Sequence, residues 1–115
     1  MLEWLRRYCL TFPQATESVQ WESLVFKVAG KIFAIAALEP GKYFLTIKCP
    51  PEKFEEILER PGIAPAPYLA RAKWIALENE DVVTQGELKA MIADSYQSVI
   101  AKLPKKTREA LATLR

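Results

Sequence analysis

Four cationic side chains stand close together in the stretch SYQSVIAKLPKKTREAL. Lys102, Lys105, Lys106 and Arg108 place four positive charges within seven residues, and such a cluster can contact a phosphate or another anion. A structural interpretation competes with this one, because cations near the carboxyl end of a helix are stabilised by the negative end of its dipole. We favour the structural interpretation, in which Pro104 ends a long helix and the cations stabilise that end. The cluster is kept as a secondary candidate for nucleic-acid binding.

The side chains that most catalytic sites require are missing from the sequence. It contains no histidine, which removes the commonest general base and every Ser-His or Cys-His nucleophile pair. It also contains no GxxxxGK[ST] or GxGxxG loop for binding a nucleotide. The two cysteines, Cys9 and Cys49, lie far apart, so we expect reduced, unpaired thiols and no zinc site. We therefore predict a protein that is not an enzyme and that has no metal or other cofactor.

The composition is typical of a globular protein. Hydrophobic residues make up 50% of the 115 residues and charged residues 26%, which is enough apolar surface for one core. We therefore predict a single domain covering residues 1–115. No apolar stretch reaches the roughly 18 to 20 residues that a membrane span needs, and Glu3, Arg6 and Arg7 interrupt the first apolar segment. We expect a cytoplasmic protein that does not bind membranes.

The apolar pattern changes from helical to alternating spacing near residue 24 and predicts a β-hairpin. Ala29 and Gly30 suit a two-residue turn between two alternating runs. Counting outward from this turn makes Phe26 and Phe33 direct partners, and we expect both rings to be buried neighbours. The same count pairs Val28 with Lys31, Leu24 with Ile35, Lys27 with Ile32 and Val25 with Ala34.

The remaining elements follow from periodicity and from helix-capping residues. We predict a first helix over residues 2–12, a third strand over residues 42–48, a helix that begins at Pro51, and a strand over residues 73–77. A capping box of Thr84 and Glu87 begins a long helix up to Pro104, and a short helix over residues 107–114 follows, with Leu111 and Leu114 as its apolar contacts. The order α-β-β-β-α-β(β)-α favours an α+β fold of two layers, an antiparallel sheet with helices packed on one face.

Five segments occur in an order and spacing that resemble the MmcQ/YjbR family of small bacterial proteins: RRYCLTFP, FKVAGKIFAIAAL, LTIKCPPEKFEEIL, YLARAKWIAL and DSYQSVIAKLPKK. The resemblance covers nearly the whole chain. It implies an α+β fold similar to frataxin-like and secretion-chaperone-like domains, and a family label of "double wing" DNA-binding protein. Two positions depart from the family pattern: Lys73 stands where a histidine is expected before Trp74, and Gln14 stands where a glycine often follows the first proline.

The double-wing label implies a binding role for four cations. The predicted hairpin presents Lys27 and Lys31, and the loop before the last strand presents Arg71 and Lys73. These side chains would contact phosphates on either side of a groove in double-stranded DNA, without strong sequence preference. The alternative is that they are ordinary solubilising residues. The formal net charge of only +2 favours this alternative, because dedicated DNA-binding domains are usually far more basic.

A protein-interaction module is the competing functional class. The resemblance to secretion-chaperone folds suggests that a sheet face or edge holds a protein partner or a second copy of the chain. An uncovered apolar patch of Val25, Ile32 and Ala34 would favour this class, whereas convergence of the four wing cations on one concave side would favour DNA. The sequence does not decide the oligomeric state.

Two further side-chain patterns have a functional and a structural interpretation. Trp74, with Tyr68 close in sequence, can stack on a base of single-stranded nucleic acid, but a tryptophan in an alternating strand is more often a core residue. The frataxin-like resemblance raises metal binding by an acidic helix face, which we judge to be a solvated face because Lys53 and Arg60 interrupt it. The acids of this face are Glu52, Glu55, Glu56 and Glu59.

Overall fold

Within residues 1–67 and 69–113, which the computed structural model describes, the chain forms four α-helices and six β-strands. The helices are α1 (Leu2–Cys9), α2 (Pro51–Ile57), α3 (Gln85–Ile100) and α4 (Lys105–Thr113). The strands are β1 (Ala15–Gln20), β2 (Ser23–Val28), β3 (Lys31–Ala37), β4 (Leu45–Lys48), β5 (Ile63–Pro65) and β6 (Trp74–Leu77). A 3-10 turn (Ala70–Ala72) precedes β6. The predicted α+β class is confirmed.

All six strands belong to one antiparallel sheet with the spatial order β1-β2-β3-β4-β6-β5. One face of this sheet holds the main hydrophobic core, to which all four helices contribute. Leu5 of α1, Phe54 of α2, Tyr96 of α3 and Leu111 of α4 are all buried in it. The sheet therefore has helices on one face, as predicted. The connection from β4 through α2 and β5 lets β6 pair between β4 and β5.

The structure adds β1, an edge strand that the sequence pattern did not indicate. Its residues ATESVQ include few apolar side chains, so the alternation typical of a buried strand is weak. The turn after it also lacks the Gly or Asn that usually marks a hairpin, although Trp21 and Glu22 both have positive φ, 52° and 59°. Strand β1 is held by full antiparallel pairing with β2 and by an ion pair from Arg6 to Glu17 at 2.6 Å.

The predicted hairpin between β2 and β3 is correct at its turn and wrong farther along. Ala29 and Gly30 have positive φ, 49° and 78°, as a two-residue turn of this kind requires. A bulge then shifts the register so that Phe33 has no direct partner and Phe26 pairs with Ala34. The two phenylalanines are still both fully buried, with ring centroids 6.4 Å apart. Of the other pairs, Val28–Lys31 and Lys27–Ile32 are confirmed, whereas Leu24 pairs with Ala36 and Val25 with Ile35.

Several element boundaries differ from the predictions for identifiable reasons. Helix α1 ends at Cys9, and Phe12 reaches the core from the following turn by stacking on Tyr96 with ring centroids 4.6 Å apart. Both cysteine thiols are free and buried. Gln14 has a φ of 59°, in the left-handed region that favours glycine, which gives a physical reason for the glycine expected at this position. Leu114 lies outside the described residues.

Candidate nucleic-acid interface

The turn between β2 and β3, the end of β4, the start of β6 and the end of α3 meet at one end of the sheet. Two open depressions lie there, with volumes of about 540 Å³ and about 370 Å³. Lys48 and Lys102 line both depressions, so the two depressions adjoin at these lysines. Lys31 lines the first depression, and Arg71 and Lys73 line the second. Three of the four cations that the wing interpretation selected are thus brought to one end of the molecule.

Lys48 is fixed in place by a buried hydroxyl group. Its backbone N–H donates to Ser95 Oγ at 2.8 Å, and Ser95 Oγ in turn donates to the carbonyl oxygen of Phe33 at 2.6 Å. Ser95 is fully buried on α3, and Phe33 is the residue that the bulge leaves without a direct partner. The serine hydroxyl therefore provides hydrogen-bond partners for the N–H of Lys48 and the carbonyl oxygen of Phe33. This contact holds the last residue of β4 against α3.

Lys48 and Lys102 form a like-charged pair. The pKa of Lys48 lies below its ordinary value of 10.5, first because burial removes water from the ammonium group and then because Lys102 approaches it. Within the described part of the chain no carboxylate forms an ion pair with either lysine. Glu52 of α2 also lines the second depression. The positive charge at the boundary between the depressions is therefore only partly compensated.

Arg71 and Lys73 approach the same place from the segment before β6. Lys73 has a φ of 67°, and its carbonyl oxygen accepts a hydrogen bond from the backbone N–H of Cys49 at 2.8 Å. Its Nζ lies 4.9 Å from the centroid of the Phe54 ring, a cation–π distance. Arg71 is exposed on the 3-10 turn. The backbone contact with Cys49 places this basic segment directly beside the end of β4.

Lys27 is the wing cation that the structure does not bring to the depressions. It lies in β2 opposite Thr16 and Ile32, and it lines neither depression. By strand alternation it is on the sheet face away from the helices, because its neighbours Phe26 and Val28 belong to the main core. The hairpin of β2 and β3 therefore contributes Lys31, the first residue of β3, and not Lys27.

The structural interpretation of the lysine cluster is wrong for three of its four members. Lys105, Lys106 and Arg108 lie in the first turn of α4, at the positive end of that helix's dipole, where cations are not stabilised. The reason is that Pro104 both ends the preceding segment and begins a new helix, since the N–H of Arg108 donates to the carbonyl oxygen of Pro104. Only Lys102 follows the end of α3, and it lines both depressions.

The structure decides between the two interpretations of Trp74 and tests the apolar patch proposed for a protein partner. Trp74 is only 9% exposed and packs with Ala66 and Ala76, so its core interpretation is confirmed. Tyr68 lies outside the described residues. The apolar patch proposed for a protein partner does not form, because Val25 is fully buried and Ala34 belongs to the core on the helix side of the sheet.

The acidic side chains of α2 and its surroundings face solvent individually. Glu52, Glu55, Glu56 and Glu59 are all exposed, and among residues 1–67 and 69–113 no three His, Cys, Asp or Glu side chains converge as metal ligands would. None of the helices in the same part of the chain is long and apolar enough to cross a membrane.

Lys48 is the residue of the site that the sequence analysis did not select. It appeared only as the last residue of a predicted strand. Its importance depends on β4 pairing with β6, where Lys48 stands opposite Trp74, and on α3 passing over β4. Had the sequence analysis paired β4 with β6, Lys48 at the end of β4 would have been placed beside Lys73, which directly precedes β6.

Helices packed on one face of an antiparallel sheet place this chain among small α+β proteins. A family model described as YjbR matches residues 10–98, and the chain belongs to the YjbR family. It is 25% identical over 113 residues to the uncharacterised protein YjbR of Escherichia coli strain K12, a match that covers 96% of each chain. It is 28% identical over 88 residues to the uncharacterised protein YbdF of Escherichia coli O157:H7, with 74% of this chain and 70% of that one covered.

Solved structures of similar proteins have the same fold. The crystal structure of the Deinococcus radiodurans protein DR2400, a DUF419 domain, matches with a TM-score of 0.87 at 27% identity, over 97% of this chain and 88% of that one. The crystal structure of a protein from Pseudomonas syringae matches with a TM-score of 0.69 at 20% identity, over 84% of this chain and 96% of that one.

Proposed function

We propose that this protein binds double-stranded DNA, without catalysis, through the cationic end of its sheet. The observation that carries the proposal is the convergence of cations from four separate segments on two adjoining depressions. We call this surface the basic groove and define it by Lys31, Lys48, Arg71, Lys73 and Lys102. The double-wing label of the resembling family supports the same conclusion.

The chemistry of the groove suits phosphate groups better than bases. Lysine and arginine side chains on a concave surface attract the DNA backbone and release its counterions, which is the main source of affinity in nonspecific binding. The phosphates carry no base identity, so we expect little preference for sequence. A formal net charge of +2 still permits this role, because the charge that matters is the local one at the groove.

The proposal is tested by a salt titration of binding to random-sequence duplex DNA. A fourfold variant with Lys31, Lys48, Arg71 and Lys102 changed to alanine should lose about 3 to 4 units of the slope of log affinity against log salt, at roughly 0.9 per phosphate contact. Lys73 is left unchanged because its ammonium group contacts the ring of Phe54.

The matched control removes the same charge from outside the groove. It carries Lys27, Lys105, Lys106 and Arg108 changed to alanine, and it should keep most of the wild-type slope. An equal loss of slope in both variants would contradict the assignment to this groove. No binding by the wild type at about 50 mM salt, where electrostatic association is strong, would contradict DNA binding altogether.

A second candidate function is self-association through the edge strand β1. Val19 is 66% exposed and Trp21 is 72% exposed, and both lie on the hairpin at the free edge of the sheet. An edge strand presents unpaired backbone groups to which the same strand of a second copy can add. Sedimentation of the wild type and of a Val19→Lys variant tests this candidate. A concentration-dependent dimer that the variant loses would support it, and a monomer at all concentrations would exclude it.

A further inference from the structure

Lys48 and Lys102 differ from the other cations of the basic groove because each of them lines both depressions. Lys48 comes from the end of β4 and Lys102 from the residues that follow α3. Repulsion normally drives such side chains apart into solvent. Here the backbone of Lys48 is held by the buried Ser95 hydroxyl, so the strand end cannot move away from α3 without breaking that contact.

Holding two ammonium groups together costs free energy unless an anion lies between them. Partial burial of Lys48 increases this cost, because water screens its charge less well than it would at a free surface. The described residues supply no carboxylate in an ion pair with either lysine. An anion from outside the chain would therefore stabilise the pair.

We propose that Lys48 and Lys102 form a phosphate-binding site in which one phosphate group bridges the two ammonium groups. This inference rests on the proposed function for its natural ligand, one phosphodiester of the DNA backbone. The chemistry required is an anion with several equivalent oxygens, so that each lysine donates to a different one. Lys31 on one side and Arg71 on the other extend the positive surface beyond the pair, as a continuous backbone of phosphates would need.

The first test uses inorganic phosphate as the probe and thermal unfolding as the measurement. Melting temperatures are compared in sodium phosphate and in sodium chloride at equal ionic strength and equal pH. Binding to the folded state raises the melting temperature by mass action. Phosphate also stabilises proteins in general by exclusion from their surface, so the comparison needs variants.

The site variant carries Lys48→Met and Lys102→Met, which keep an unbranched side chain of similar length. The matched control carries Lys105→Met and Lys106→Met, which remove two cations from α4. We expect the phosphate-specific rise in melting temperature in the wild type and the control, and only the smaller general effect in the site variant. Equal rises in all three proteins would overturn the inference.

The second test uses random-sequence duplex DNA and separates this inference from the proposed function. The site variant should lose about 1 unit of the salt slope, at roughly 0.9 for the one phosphate that the two lysines share. A phosphate effect without any DNA binding would support the site and assign it to a free phosphate compound, and the proposed function would then be wrong. DNA binding with an unchanged slope in the site variant, together with no phosphate effect, would overturn the site and leave the proposed function standing.

Discussion

Ser95 contributes to both the fold and the basic groove through a single oxygen atom. Its Oγ accepts from the N–H of Lys48 and donates to the carbonyl oxygen of Phe33, and the side chain is fully buried. A buried backbone donor or acceptor that loses its partner costs more than an exposed one, because water cannot replace the lost bond. The serine therefore links the bulge in β3 to the position of the central lysine.

Changing Ser95 to alanine should lower the free energy of unfolding by about 1–3 kcal/mol, because it leaves two buried backbone groups unsatisfied. Urea unfolding of the variant measures this change. Gln97→Ala, at an exposed position of the same helix, is the matched control and should change the stability by less than about 0.5 kcal/mol. Similar values for the two variants would mean that the hydroxyl has no structural role.

Changing Lys48 to methionine should raise the melting temperature at neutral pH and low salt. The pKa of Lys48 is lowered in the folded protein, so the unfolded chain binds this proton more tightly and the charged form destabilises the fold. This destabilisation is present at neutral pH and disappears as the pH rises towards 10.5. Lys48 also lines depressions with other charged groups, which besides Lys102 are Lys31, Lys53, Arg60, Arg71, Lys73, Glu52, Glu87 and Asp94.

The measurement is thermal unfolding at about 0.01 M and about 1 M salt, between which the Debye length falls from about 30 Å to about 3 Å. The difference between variant and wild type should shrink at high salt, because the repulsion from Lys102 is screened there. Lys105→Met serves as the control for loss of one exposed lysine. A lower melting temperature for Lys48→Met would show that packing of its side chain outweighs the repulsion.

At the level of elements, Glu87 connects the start of α3 to the segment after α2. Its backbone N–H donates to Thr84 Oγ1 and its carboxylate accepts from the N–H of Thr84, which completes the predicted capping box. The same carboxylate accepts from the guanidinium group of Arg60. These contacts lower the pKa of Glu87 to about 2, with the Arg60 hydrogen bond as the largest cause.

Changing Glu87 to glutamine should therefore destabilise the protein at neutral pH but not in strong acid. A carboxyl group with a lowered pKa contributes stability above its ordinary value of 4.5, and this contribution is lost as the pH falls towards about 2. Urea unfolding at several pH values should show the wild type and the variant converging over this range. Glu55→Gln on α2 is the control, and a gap that stays constant with pH would refute the mechanism.

The hairpin of β1 and β2 has a turn whose residues suit its backbone poorly. Trp21 and Glu22 both have positive φ, which costs a residue with a side chain about 1–2 kcal/mol. A Trp21→Asn, Glu22→Gly variant should raise the free energy of unfolding by about 1 kcal/mol, because Asn-Gly is the preferred sequence for this turn. Thermal unfolding measures the change. A loss of stability would instead assign a packing role to the exposed indole.

In the whole molecule, charge is segregated in space and not simply along the chain. The connections at the end of the sheet opposite the basic groove carry exposed acids: Glu22, Glu39, Glu78, Glu80 and Asp81. The six residues of β2 separate the two ends by roughly 20 Å. Arg71 and Lys73 therefore lie at the opposite end of the sheet from Glu78, Glu80 and Asp81, although these acids are close to them in the sequence.

Changing Glu39 and Glu80 to glutamine should strengthen DNA binding at low salt, and the salt slope should stay unchanged only above about 0.1 M salt. The slope counts phosphates neutralised at the groove, which these acids do not contact, whereas their repulsion of DNA acts over distance. The effect should vanish above about 0.1 M salt, where the Debye length of about 10 Å is shorter than the separation. A salt titration of the variant checks this, and a slope that also changes above about 0.1 M salt would place DNA at the acidic end.

The turn at Ala29 and Gly30, the capping box of Thr84 and Glu87, the helical stripe that buries Tyr96 and the overall α+β order were all predictable from the sequence. Each depends on residues a few positions apart, whose spacing and chemistry select one local backbone shape. The family resemblance selected Lys31, Arg71 and Lys73, which the structure brings to one end of the sheet, and their role in binding DNA stays a prediction.

The bulge at Phe33, the strand β1 and the position of Lys48 and Lys102 at the same two depressions were not predictable in this way. Each depends on which distant segments pack together: β4 pairs with β6 across α2 and β5, and α3 passes over both β3 and β4. Local periodicity carries no information about such contacts, because strand pairing and helix packing are selected by the free energy of the whole core. The position of Lys48 at the centre of the basic groove is therefore decided by the tertiary structure.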